Sequence, residues 1–328
     1  MNFTLNILGT ASALPIVNRY PSAQVLDVRG RLFLIDCGEG VQIQMRRQHL
    51  SILKLDTIFI THLHGDHVFG IFGLLSTMSM LGRKTPMNIY APTAFGKILN
   101  DFMASFGEGF NFEPVHHAVK VSAPEKIFET RNMEVLAFPL KHRIETYGYL
   151  FREKTPMRNV RKECIEKYGL TLAEIAALKR GEDVVRAPGE ACEPSVENGF
   201  VRFSGSDEPA VLKSSELTYL PYKPRSFAYC SDTAPFRQLS EWIKGVDLLY
   251  HEATFPCGYE SLAKATFHST TLQAAECAAA AGVGRLLIGH YSSRFPDARF
   301  FLDEARSVFP AAELSAEGMK VDLPLVRM

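Results

Sequence analysis

The segment Thr61-His62-Leu63-His64-Gly65-Asp66-His67 constrains this chain more than any other. Three imidazoles and a carboxylate fall between positions 62 and 67, directly after the apolar run 57–60. A buried strand ending in such a turn points several donors into one small volume. One zinc normally takes four ligands, and a catalytic zinc keeps one position for water. Four donors here, with more from later loops, imply two adjacent metals. A metal pair activates water and clamps the attacking and leaving oxygens of a displacement, an arrangement suited to phosphoester hydrolysis. A chance pair of surface histidines explains a lone His-x-His, but not this spacing.

At 328 residues the chain can bury a large core, as one big domain or two modest ones. Hydrophobic residues at 46% and charged ones at 22% are ordinary for a soluble globular protein. No apolar stretch approaches the ~20 residues needed to cross a bilayer. Residues 1–5 run straight into a strand-like pattern with no charged leader, so a cytoplasmic protein without a membrane partner is expected. The six cysteines (Cys37, Cys164, Cys192, Cys230, Cys257 and Cys277) show no Cys-x-x-Cys pair, and reduced thiols are expected.

The formal net charge is zero, so any nucleic-acid partner would need a local basic patch. Residues 151–180 supply one, with eight Lys/Arg against four Glu. Residues 181–216 reverse the sign, with eight acids and three bases. A solvated helix followed by an acidic loop would read the same way.

Periodicity predicts strands at 2–8, 54–60, 88–91, 115–121, 133–139 and 147–151, and a hairpin over 23–35 that turns at 29–31. Helices are expected at 41–49, 68–81 and 94–106. Residues 152–225 break the pattern: 158–168 and 172–180 look helical, and 186–205 reads as a loop rich in Pro, Gly, Glu and Ser. Strands resume at 226–230, 248–250 and 285–289, with helices at 271–281 (stopped by Gly282) and 297–308. Two strand-rich halves around an irregular middle imply a layered α/β sandwich.

Further donors follow short apolar strands: His142 after 135–140, Asp232 after 227–230, and His290 after 286–289. Each alone could be a cap or turn residue. With the first motif they make five His and two Asp, enough for two metals and one bridging carboxylate. His251 reads as a buried structural histidine, and His49, His116 and His117 show no ligand spacing.

The ordered motifs resemble the metallo-β-lactamase superfamily and, within it, the ribonuclease Z family. The resemblance covers 3–150 and 225–310. It is carried by Leu8-Gly9-Thr10-Ala11-Ser12, Asp36-Cys37-Gly38-Glu39-Gly40, the His motif, and His142 with Gly148-Tyr149. Later come Ser231-Asp232-Thr233, His251-Glu252-Ala253-Thr254-Phe255, His268-Ser269-Thr270 and Ile288-Gly289-His290-Tyr291. It implies a four-layer αββα sandwich over 1–328, with an inserted protruding arm and irregular acidic loop over 152–224. It implies two Zn2+ per subunit, although manganese, iron or cobalt would suit the donors too. His62, His64 and His142 would hold one ion, Asp66, His67 and His290 the other, and Asp232 would bridge. Asp36 would orient a ligand by hydrogen bond.

The activity implied is that of an endoribonuclease cutting the 3′ trailer from precursor tRNA. Water acidified by the metals would attack phosphorus, with Asp66 as proton acceptor. His268, oriented by Glu252, would be the general acid. The products would be a tRNA 3′-hydroxyl and a 5′-phosphorylated trailer. Arg294 is a candidate phosphate contact. Arg158, Arg161, Lys162, Lys179 and Arg180 would bind the tRNA body, as basic residues on an extended element suit RNA backbone. The family's Gly-Pro pair is absent from the arm, where Leu172-Ala173 stands instead. In the family one subunit's arm serves the other's active site, so a homodimer is implied, and no further protein partner is evident.

Two other readings remain open at this point. A small-molecule phosphodiesterase, or an arylsulfatase- or lactonase-like hydrolase, would use the same metals. A non-catalytic RNA-binding protein with a structural metal would not need the candidate acid.

Overall fold

The computed structural model describes residues 1–328 except 15, 18, 188–190, 198–199 and 206–209; side chains over 191–209 are not described. The chain divides into two compact units: Met1–Glu153 with Arg225–Pro324, and Lys154–Pro224 with Leu325–Met328.

In the first unit two seven-stranded sheets lie between helices. One sheet runs Lys320–Asp322, Phe3–Gly9, Ala23–Val28, Arg31–Ile35, Leu55–Phe59, Met87–Pro92, Pro114–Val119. Its first four strands pair antiparallel and its remainder parallel. The other runs Ala312–Leu314, Leu286–Gly289, Leu248–Glu252, Ser226–Cys230, Tyr147–Glu153, Met133–Pro139, Glu125–Glu129, parallel as far as Ser226–Cys230 and antiparallel beyond.

Strand alternation sorts side chains into three cores. Phe33 and Ile35 point between the sheets, where they meet Phe59, Tyr149, Phe151, Phe227 and Tyr229. Leu32 and Leu34 point outward under the helices Val41–Arg47 and Gly70–Met80. On the second sheet Ala228 and Cys230 face out under Thr271–Ala281 and Arg299–Val308. Apolar residues on both faces are what strands covered on both sides require. The order helix, sheet, sheet, helix is the four-layer arrangement implied by the motifs.

Most expected elements are present within a few residues. The 23–35 hairpin turns at Arg29 (φ 55°) and Gly30 (φ 88°), two left-handed residues in a row, as a two-residue turn with the right twist requires. Glu125–Glu129 and the helices Arg237–Trp242 and Glu260–Thr266 were not foreseen, because each is short and shows little amphipathic period. Where the first unit opens for the insertion, the buried Glu153 carboxylate accepts from Arg29 and Arg225, while Arg225 also donates to the Met1 and Leu323 carbonyls. The five described cysteine side chains are free thiols; Cys192 lies outside the described side chains. No helix among the described residues is long and apolar enough to cross a membrane.

The second unit has its own small core of Leu170, Leu178, Leu212 and Leu217. Leu172–Arg180 is a helix as expected, opened by a reciprocal Thr171/Glu174 capping box and closed by Gly181 at φ 90°. Two expectations fail here. The helix over 158–168 shrinks to Lys162–Lys167, because Asn159–Val160 pairs as a strand with Thr218–Tyr219. The irregular acidic loop within 152–224 is instead strand-bearing: Val184–Arg186 pairs with Ala210–Leu212, and Ala191–Glu197 with Phe200–Gly205. The apolar and β-branched residues Phe200, Val201 and Phe203 carried that signal, and the surrounding Pro, Gly and Glu obscured it. The acidic run itself falls largely outside the described side chains.

Candidate metal centre and hydrolytic site

Each expected donor stands where a strand hands over to a loop. Leu55–Phe59 ends just before Thr61 and His62, both wholly buried, and the short helix Gly65–Val68 carries Asp66 and His67. Asp36 follows Arg31–Ile35 in a left-handed conformation (φ 57°) and accepts from the Thr61 amide at 2.8 Å and the Thr61 hydroxyl at 2.9 Å. Its other oxygen lies 2.8 Å from His67 Nδ1. With that N–H donated to Asp36, His67 offers Nε2 to the centre. His142 is set similarly: Nδ1 meets the Phe267 carbonyl at 2.9 Å. Thr254 Oγ1 donates to Glu252 Oε2 at 2.8 Å and accepts from His290 Nδ1 at 3.0 Å.

These contacts aim the remaining nitrogens at one another. His62 Nε2 and His142 Nε2 lie 3.0 and 3.2 Å from His64 Nδ1, and His67 Nε2 lies 3.2 Å from His290 Nε2. Two trios result, His62/His64/His142 and Asp66/His67/His290. Asp232 presents Oδ2 to the first, 3.5 Å from His62 and 3.7 Å from His142, and Oδ1 to the second, 3.2 Å from His290 and 3.5 Å from His67. Bonds of ~2.0–2.1 Å in a tetrahedron place neighbouring donors about 3.4 Å apart. The observed separations match those edges, so the donor set fits two divalent ions.

The electrostatics agree. Burial lowers His62 to about 4, aided by His67, and burial also lowers His64 and His142, so these imidazoles stay neutral donors. Burial would lower His67 as well, but Asp66, Asp232 and Asp36 drive it well above the usual range. Three carboxylates around one imidazole mark a volume that calls for positive charge. Asp66 is held ionised by His67 and His290 against burial, and also accepts from the Ala13 amide at 2.8 Å.

His268 sits at the rim. Its Nδ1 is 3.0 Å from Glu252 Oε1, and its Nε2 is 3.9 Å from Asp232 Oδ2. Burial opposes its protonation, yet Glu252 and Asp232 raise it to about 9. Glu252 is fully buried and also accepts from the amides of Thr233, Thr254 and Ser269. A cleft of about 490 Å³ opens over the cluster, lined by His64, Asp66, His142, Asp232 and His268. A smaller hollow shares Ser12, Ala13, Thr266 and His268 with it and extends to Arg294, which is exposed.

The sequence reading missed several residues. Phe69 and Arg143 line the main cleft, and Arg143 is held by the Ala265 carbonyl at 2.8 Å. Its signal was its place directly after His142. Thr254, inside a motif already noted, links Glu252, His268 and His290. Arg158, Arg161, Lys162, Lys179 and Arg180 belong to the second unit. Arg180 pairs with Glu182, Arg161 lies over the Tyr219 ring, and Arg158 bonds the Thr218 hydroxyl. His251 is buried, with Nδ1 on the Glu252 carbonyl; His116 and His117 contact Ala91 and Asn88.

Two facing sheets, helices outside, and His and Asp donors on strand-end loops define a metal-dependent hydrolase of the metallo-β-lactamase fold. The metallo-β-lactamase fold protein YhfI of Bacillus subtilis superposes with a TM-score of 0.66 at 16% identity, covering 98% of this chain and all of that one. The short form of human tRNase Z superposes with a TM-score of 0.68 at 25% identity, covering 98% and 99%. A family model described as anti-Pycsar protein Apyc1 matches residues 3–158. Among relatives in sequence, ribonuclease Z of Porphyromonas gingivalis W83 is 40% identical over 321 residues, covering 98% of this chain and 99% of the relative. Ribonuclease Z of Parabacteroides distasonis is 39% identical over 322 residues with the same coverage. This chain belongs to the ribonuclease Z family.

Proposed function

We propose that the protein removes the 3′ trailer of precursor tRNA as an endoribonuclease using two divalent ions, zinc foremost. The observation that carries this reading is Asp232, whose two oxygens serve separate donor trios, with the Glu252–His268 pair at its rim. His62, His64 and His142 would hold one ion, Asp66, His67 and His290 the other, and Asp232 both. When bound, the ions supply an acidified water and neutralise charge on the non-bridging oxygens.

The chain's own groups do the rest. Asp36, Thr254 and the Phe267 carbonyl fix the ring orientations of His67, His290 and His142, which keeps the donors preorganised. Asp66, ionised, accepts a proton from the attacking water. The new bond forms between water oxygen and phosphorus, and the bond from phosphorus to the tRNA 3′-oxygen breaks. His268, protonated and held through Nδ1 by Glu252, delivers the Nε2 proton to that oxygen. A 3′-hydroxyl and a 5′-phosphorylated trailer result.

The second unit, beginning at 154 rather than 152, is proposed as the arm that grips the tRNA body. Arg158, Arg161, Lys162, Lys179 and Arg180 would meet its phosphates, and Arg294 a phosphate near the cut. A cytoplasmic homodimer is the proposed working form.

The test is a precursor tRNA with a short trailer, incubated with and without chelator. One chelator-sensitive cut beside the acceptor stem, leaving a 3′-hydroxyl, is expected. No cut, with small phosphodiesters still hydrolysed, would reject the tRNA reading in favour of a small-molecule hydrolase.

A further inference from the structure

Phe69 is an exposed aromatic residue of the active-site cleft. It follows Asp66 and His67 by less than one helical turn, and its amide donates to the Gly65 carbonyl at 2.9 Å. Its position relative to the metal donors is therefore fixed. Yet 59% of the residue is exposed, and it joins none of the buried apolar clusters. The exposed ring is open to a group that enters the cleft.

The ring lies over Gly65. A β-carbon at Gly65 would fall 2.3 Å from the Phe69 ring, so the glycine is what lets the ring lie against the backbone. The ring lines the cleft. The same cleft holds His64, Asp66 and Asp232 of the metal centre and the Arg143 guanidinium. An aromatic platform beside a cation and a phosphodiester-cleaving centre matches how single-stranded RNA is gripped, by stacking bases on rings while cations follow the phosphates.

We propose that Phe69 is a nucleobase subsite, on which the base of one of the two nucleotides flanking the scissile phosphate stacks. This rests on the RNA-cleaving reading above. Stacking would tie the sugar-phosphate to the metal centre in one register, so that the cut falls at one bond. Any base has a π face, so the subsite is tolerant of sequence but not of a missing base.

The test uses precursor tRNAs carrying a single abasic residue immediately 5′ of the cut, immediately 3′ of it, or several nucleotides into the trailer. Phe69→Leu keeps an apolar side chain against Gly65 and removes the aromatic face; Phe69→Ala removes both, and Phe69→Tyr keeps both. On the intact substrate kcat/KM should fall about 5- to 150-fold for the Leu and Ala variants, and stay near wild type for Tyr. With the abasic residue at the contacted nucleotide, wild type should fall to the variants' level and the variants should lose nothing more. An equal loss in the variants on all the abasic substrates, or no loss on the intact one, would overturn the proposal. Failure of the wild-type protein to cut any precursor tRNA would instead sink the RNA-cleaving reading on which it rests.

Discussion

His268→Ala should damage the reaction in proportion to how badly the leaving group needs a proton. The imidazole is held by Glu252 Oε1 at 3.0 Å, with Nε2 turned toward Asp232. Burial opposes its protonation, but Glu252 and Asp232 raise it to about 9, which favours the protonated state an acid needs. A positioned general acid is worth about 10²- to 10⁴-fold, or ~2.7–5.4 kcal/mol of barrier. That loss is expected in single-turnover cleavage of an ordinary precursor tRNA. A substrate whose bridging 3′-oxygen is replaced by sulfur leaves as a thiolate, which at a thiol pKa of about 8.5 needs little help. The His268→Ala defect should shrink there to within about tenfold of wild type.

Glu252→Gln should act through the same proton. If His268 falls back toward about 6.5, the protonated fraction drops about fourfold at pH 7 and about 80-fold at pH 8.5, so the alkaline limb of the rate profile moves down. An equal His268→Ala loss on oxygen and sulfur substrates would show that His268 does not protonate the leaving group.

Three further outcomes are expected. Asp36→Asn replaces the carboxylate that holds His67 Nδ1, and metal affinity should weaken about 10- to 100-fold in chelator competition. Glu153→Gln leaves Arg225 buried without its partner and should cost about 3–5 kcal/mol by urea unfolding. Burial would raise the Glu153 carboxyl, but Arg225 and Arg29 hold it below the ordinary range. Its contribution is thus present above the unfolded value near ~4.3 and lost as pH falls through the lower folded value, where the two proteins should converge. Lys162→Glu with Lys179→Glu should flatten the salt dependence of tRNA binding by about 0.7–0.9 in log–log slope per lost phosphate contact; an unchanged slope would remove these residues from the interface.

The legible parts of this chain were those governed by local chemistry. The 61–67 motif follows a strand because apolar residues precede it, and Asp36, His142, Asp232 and His290 each follow a run with period-two or fully apolar character. Such patterns need no knowledge of the partner strands. What stayed hidden depends on contacts far apart in sequence. Arg143 matters because Glu260–Thr266 ends with a carbonyl beside it, more than a hundred residues on. Phe69 looks like a core residue until its surroundings are known. In the second unit Asn159–Val160 has no strand signal of its own and becomes a strand because Thr218–Tyr219 pairs with it.

Ala13, Asp36, Phe267 and His290 all have φ between 57° and 62°, a left-handed conformation that side chains disfavour, and each either contacts a candidate ligand or is one. Each such residue costs on the order of 1–3 kcal/mol where the surroundings must impose it. The centre is therefore locally frustrated, and the well-packed sheets must carry it. This sets a limit on adaptation. Phe267→Gly should ease the backbone yet loosen His142, so a more robust fold would be gained at the expense of turnover. Lineages drifting under stability pressure alone would be drawn toward such relaxed, inactive sites, and only continued demand for catalysis keeps the backbone bent.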